Sequence, residues 1–243
     1  MRETETNFFN CFTHMDVEIG KTLAPMNKFM ALTDVARKAD PELCKHVLED
    51  RVQCLQEISQ HIKSMFKIFR DYINERKVKK EFWAPYIQGA TAWNINGMTE
   101  GMSGAETLAF HLLDAFLSVK GDSPVAQASV KKLQTIPKVC RDLVATLNDD
   151  SFDRFSSFCD LEGQDDPVAK VKEEMLSSLY MWRLGHAKVP KKYFDSQNKT
   201  TSGGVVENVG ETEGSLVEIT ERQLRQRAME TKACLEQSKA RRH

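Results

Sequence analysis

Apolar side chains recur every three or four positions along most of this chain, the spacing that places them on one side of an α-helix. Phe8, Phe12, Met15, Ile19, Leu23, Met26 and Met30 make the first such series. Gly20 and Pro25 interrupt it, and Pro25 has no amide proton for the helix ladder, so the pattern predicts a kink or two shorter helices. The second series is longer: Leu43, Val47, Leu55, Ile58, Ile62, Met65, Phe66, Phe69 and Ile73. Lys45, Glu49, Asp50, Gln60, Lys63, Lys67 and Asp71 occupy the other side. Asp40 followed by Pro41 is a capping residue ahead of a first-turn proline, a strong helix start. The basic run Arg76 to Lys80 suits the negative end of the helix dipole.

Further elements follow the same logic. A helix is expected over Glu81 to Asn96, with Phe82, Trp83, Tyr86 and Trp93 inward. The glycine-rich stretch Gly97–Gly104 reads as a loop. Ser103 and Glu106 offer a capping box for a helix that buries Leu108, Leu112, Leu113, Phe116 and Leu117. Ser123-Pro124 starts another, carrying Val125, Val130, Leu133, Ile136, Cys140, Leu143, Val144 and Leu147, and Pro137 should bend it. A short helix is expected around Phe152, Phe155 and Phe158. Asp166-Pro167 begins one with Val168, Val171, Met175, Leu179, Tyr180 and Trp182.

From about Asp195 to Gly214 periodicity stops and Gly, Ser, Thr and Asn dominate, which reads as a flexible linker. Thr220-x-x-Gln223 offers a cap for a last helix, with sparse apolar positions and seven Lys/Arg against three Glu from Ile219 onward. The expected architecture is all-α: an antiparallel bundle of six to seven helices over residues 5–194, a linker over 195–214 and a basic C-terminal helix over 215–243. That last helix is expected to be a separate, mobile or partner-dependent element.

Composition supports this plan. Hydrophobic residues make up 41% of 243, enough for a core, and only 12 Gly and 7 Pro leave few tight turns for a β architecture. With 34 basic and 35 acidic residues the net charge is −1, which speaks against a dedicated nucleic-acid binder. No apolar window reaches the length of a membrane span, and the polar N-terminus lacks a signal-peptide pattern, so a cytoplasmic protein is expected. In that compartment the six cysteines are expected to be free thiols.

Chemistry is sparse. The Cys11-x-x-His14 spacing has no second half for zinc, and the 97–104 stretch lacks the Lys-Ser/Thr of a phosphate loop. No nucleophile–base motif is visible, so no catalytic residue, metal or cofactor is expected. The most distinctive polar feature is the basic cluster Arg76, Lys77, Lys79 and Lys80, which with Lys63, Lys67 and Arg70 makes the candidate partner contacts. Such a patch would steer an acidic protein surface into register.

One stretch resembles a known family. Leu55, Ile58-Ser59, Ile62, Phe69-Arg70, Arg76, Phe82, Ala90 and Trp93 resemble the second and third helices of the N-terminal helical-bundle domain of cyclase-associated proteins, the actin-turnover factors. Phe8, Phe12 and Glu18-Ile19-Gly20 fit that domain's opening helix, and Glu106 to Leu147 its next helix pair. The resemblance spans about residues 5–150. The family's Pro-Gly-Pro loop is replaced by Gly97–Gly104, and the Asn that precedes Arg76 in the family pattern is Glu75 here. The resemblance implies a six-helix bundle that binds actin or a cofilin–actin complex near filament ends. Nucleotide exchange belongs to that family's β domain and is not implied. The expected function is therefore a protein-interaction module in cytoskeletal regulation. The alternatives are a nucleic-acid-associated protein using the basic C-terminal arm, and an enzyme with a pocket between helices around Trp83 and Trp93.

Overall fold

A computed structural model describes residues 2–83, 91–95, 98–100, 107–148, 154–158, 166–194 and 215–240. The fold is all-α, with one small hairpin. Among the described residues eight helices have nine or more residues: α1 (Arg2–Gly20), α2 (Leu23–Ala36), α3 (Pro41–Tyr72), α5 (Leu108–Phe116), α6 (Pro124–Lys132), α7 (Lys138–Leu147), α8 (Pro167–His186) and α10 (Leu216–Ala240). Two are short, α4 (Lys80–Trp83) and α9 (Val189–Tyr193).

The 32-residue α3 is the axis of the fold. At 1.5 Å per residue it runs about 48 Å. Asp40 caps it, its carboxylate accepting from the Leu43 amide at 2.9 Å, with Pro41 in the first turn. Val47, Leu55, Ile58, Ile62, Met65, Phe66 and Phe69 are buried as the spacing required, whereas Leu43 stays 47% exposed. Helices α1, α2 and α8 pack along it. The opening series is broken at residues 21–22, so α1 and α2 are separate helices, and Phe8, Met15, Ile19 and Met26 are buried.

Elsewhere the structure departs from the pattern. The helix expected to reach Asn96 is confined to α4 among the described residues, because Thr91–Ile95 (β1) pairs antiparallel with Met98–Glu100 (β2), Thr91 facing Glu100 and Ile95 facing Met98. The glycine-rich loop thus contributes a strand. The overlooked signal is Asn96-Gly97, a two-residue hairpin dipeptide between β-compatible runs. Tyr86, Ala90 and the proposed Ser103–Glu106 box lie outside the described residues, and α5 starts after Thr107 without a side-chain cap. Pro137 separates α6 from α7, with a 3-10 turn at Leu133–Thr135 between them, and Val130 is 66% exposed where it was expected to be buried. Residues 154–158 are not helical. Asp166 caps α8 as expected, its carboxylate accepting from the Val168 and Ala169 amides.

The last helix begins one turn before the expected cap. Ser215 and Glu218 form the capping box: the Ser215 amide donates to Glu218 at 2.9 Å and the Glu218 amide donates to the Ser215 hydroxyl at 3.4 Å. This helix does not stand apart. It lies along α8, burying Leu216, Ile219, Ala228 and Leu235. Its few apolar residues are supplemented by a buried charge network. Asp114 on α5 accepts from Arg183 on α8 at 2.7 Å and from Arg227 on α10 at 2.6 Å, and Arg227 also reaches Glu230 at 2.7 Å. Much of the helix's basic charge is therefore spent within the molecule. The linker expected at 195–214 lies outside the described residues.

One cysteine expectation is corrected. Cys11, Cys54, Cys140 and Cys234 are free thiols, but Cys44 is disulfide-bonded. Chain spacing could not show this, because a disulfide needs two cysteines close in space and not in sequence. Burial raises the Cys11 thiol to about 12, so it is an inert packing group.

A basic groove at one end of the bundle

The C-terminal half of α3, the end of α8 and the short α9 enclose an open groove of about 720 Å³. Its apolar wall includes Phe66, Phe69 and Ile73 from α3, Met181 and Trp182 from α8, and Val189. Met181 is 60% exposed. Trp182 is the centre of an aromatic cluster. Phe66 stacks on it at 5.4 Å between ring centroids, Phe110 at 4.4 Å and His186 at 4.9 Å, while Phe69 meets it edge-on at 5.3 Å.

Cations rim this surface: Lys63 and Arg70 on the α3 side, Lys188 and Lys192 on the α9 side. No acidic residue is among the described residues that line it. Lys63, Arg70 and Lys188 have no ion-pair partner among the described residues, and Lys192 has only a 4.0 Å approach to the exposed Glu75. Unpaired cations of one sign around a low-dielectric surface raise the local positive potential.

The end of α3 is shaped by Asn74. Its Nδ2 donates to the carbonyls of Arg70 at 3.3 Å and Asp71 at 2.8 Å, and its Oδ1 accepts from the Arg76 amide at 3.1 Å and the Lys77 amide at 3.3 Å. One side chain thus closes the helix and starts the turn that carries the basic cluster. That turn is held to α1: the Lys79 amide donates to Thr4 and Asn7 donates to the Lys77 carbonyl. Val78 anchors it in a satellite core with Phe8, Trp83 and Tyr193. Trp83 is therefore a packing residue at 7% exposure. The surroundings of the Trp93 side chain, and with them the pocket expected around these two tryptophans, lie outside what is described.

All seven basic residues singled out in the sequence are exposed. Lys63 and Arg70 line the groove. Lys67 lies between them on α3 without lining it. Arg76, Lys77, Lys79 and Lys80 lie beyond the end of α3, where Lys77 sits 4.5 Å over the Tyr72 ring. The sequence reading missed Lys188, Lys192, Met181 and Tyr193. Lys188-x-x-x-Lys192 has helical i,i+4 spacing, but nothing in it points to α3.

Two donors in the wall are unsatisfied. Trp182 Nε1 and Tyr193 Oη are buried and have no hydrogen-bond partner among the described residues. Burial, followed by the charge of Glu75, raises the Tyr193 phenol to about 12, so it stays protonated and able to donate. Burial, with the Arg183 charge second, lowers the His186 imidazole to about 4, so the ring is neutral near pH 7.

Among the described residues no three His, Cys, Asp or Glu side chains converge to hold a metal ion, and no helix is long and apolar enough to cross a membrane. No protein-family model and no curated protein matches the chain. What the coordinates define is an all-α protein whose basic groove is walled by aromatic and aliphatic side chains.

Proposed function

We propose that this protein is a protein-interaction module and that the groove between α3, α8 and α9 is its docking surface. The observation that carries the reading is the pairing of an apolar, aromatic-walled groove with a rim of cations that have almost no internal partners. Interface centres are apolar and their rims polar, and rim charge speeds encounter and sets orientation. Lys67, Arg76, Lys77, Lys79 and Lys80 widen the same positive field beyond the groove.

The resemblance to cyclase-associated proteins makes actin, or a cofilin–actin complex, the first partner to test, in a cytoskeletal role. The nucleic-acid reading has less support. Arg227 of the C-terminal helix is engaged with Asp114, and Arg225 with Glu221 at 2.7 Å, so this helix presents less free charge than its sequence suggests.

The test is capture from cell extract at low salt, comparing the full chain with the variant Lys63→Glu/Arg70→Glu/Lys188→Glu, together with co-sedimentation on bare and cofilin-decorated actin filaments. Partners retained by the first and lost by the second support the reading. An identical set of captured proteins for both overturns it, and no co-sedimentation removes actin as the partner.

A further inference from the structure

We infer that the groove takes an acidic amphipathic segment of a partner protein, with apolar side chains on the floor and carboxylates on both rims. The inference rests on the module reading above and deepens it by naming the chemistry of the partner.

Three properties of the site select this occupant. The first is charge. Lys63, Lys67 and Arg70 repeat at i, i+4 and i+7, so they form a row along α3 about 10 Å long. Lys188 and Lys192 border the opposite side. An apolar stripe flanked by Asp or Glu on both sides matches this arrangement, as when an amphipathic helix lies in a groove. The second is the wall. Phe66, Phe69, Ile73, Met181, Trp182 and Val189 line the groove, and Met181 is 60% exposed, so aliphatic side chains of an occupant gain by covering it.

The third property excludes rivals. A fatty acid would place its one anionic group against one rim, leaving the cations of the other rim unanswered. A nucleic-acid base needs an open ring face to stack on. Here Phe66, Phe110 and His186 are already stacked on Trp182. A peptide alone supplies apolar groups together with negative charges spaced along both flanks.

The experiment uses the full chain and four probes. The first is a labelled synthetic peptide with Leu and Ile on one helical face and Glu on both flanks. The second is a scrambled isomer of it. The others are oleate and vesicles of anionic phospholipid. We expect the amphipathic peptide to bind in a salt-sensitive manner and the isomer to bind roughly tenfold or more weakly, a difference of about 1.4 kcal/mol. The Arg70→Glu/Lys188→Glu variant, changed only at exposed positions, should lose roughly tenfold in affinity.

Equal binding of the isomer, no peptide binding, or uptake of oleate or vesicles in preference to the peptide overturns the inference. Loss of extract capture in the charge-reversed variant without peptide binding overturns only this partner class. Unchanged capture overturns the wider reading.

Discussion

The Arg227 guanidinium donates to the Asp114 carboxylate at 2.6 Å and so ties the last helix to α5 across 113 positions of chain. The same carboxylate receives both oxygens' worth of contact from Arg183, at 2.7 and 2.8 Å. Both arginines are under 10% exposed. Asp114→Ala would leave two buried cations without their shared anion. The expected loss is about 3–5 kcal/mol, read by urea denaturation. Limited proteolysis should then cut within α10 before the rest of the chain.

Gly121 tests the same clasp from the loop. A Cβ there would meet the Glu230 carboxyl, which accepts from the Ser123 amide at 2.7 Å and pairs with Arg227. Glu230 ends a flexible side chain and can swing away, so Gly121→Ala should cost about 2 kcal/mol, for the loosened contacts of that carboxylate with the Ser123 amide and Arg227. A loss as large as that of Asp114→Ala would mean that Glu230 cannot move.

Arg51 is a buried cation on α3 that organises residues 154–158. It donates to the carbonyls of Arg154 at 2.8 Å, Ser156 at 2.9 Å and Ser157 at 3.1 Å, and its guanidinium lies 5.1 Å from the Phe29 ring centroid. Arg51→Met keeps the apolar stem and removes the donors. The expected cost is about 3 kcal/mol, because several buried carbonyls lose a charged partner. Amide hydrogen exchange should rise at 154–158 more than in α1 or α8.

His186 predicts a slope in stability against pH. Its folded value of about 4 lies below the ordinary 6.5, with burial as the first cause and Arg183 as the second. Its contribution is fully present above 6.5, falls as the pH drops towards 4 and levels off below that, because the unfolded chain takes up the proton first. Between pH 7 and 5 the loss should be about 1 kcal/mol after allowance for partial exposure of the ring. His186→Gln should flatten that part of the curve. Glu18 acts lower: burial opposes its ionisation, but hydrogen bonds from His61 and Lys21 outweigh it, so its contribution disappears as pH falls through its depressed value.

Cys44 is disulfide-bonded, so one pair of the six cysteines should be unreactive. Thiol titration of the denatured, unreduced protein should find four free thiols, and six after reduction. Six before reduction would show that the bond does not form in the protein as isolated.

Local physics was legible from sequence. The apolar period of α3 located Ile58, Ile62, Met65 and Phe69 in the core, and Asp40-Pro41, Ser123-Pro124 and Asp166-Pro167 marked helix starts where their side chains do cap. These signals act within one or two turns, so neighbouring residues suffice to read them. The exposed row Lys63, Lys67 and Arg70 was legible for the same reason. The β1–β2 hairpin was lost to the helical spacing of Phe82, Trp83, Tyr86 and Trp93, although Asn96-Gly97 pointed to it.

Tertiary structure decided the rest. Lys63 and Arg70 share a groove with Lys188 and Lys192 only because α3 and α8 pack together and α9 follows at the end of α8. Asp114, Arg183 and Arg227 meet from three helices, and that meeting turns a sparsely apolar, basic last helix into part of the core. The burial of Arg51 and the bonding of Cys44 arise in the same way. Periodicity specifies which face of a helix turns inward, but the partner of that face follows from packing among many helices at once, where side chains distant in the chain exclude water from each other.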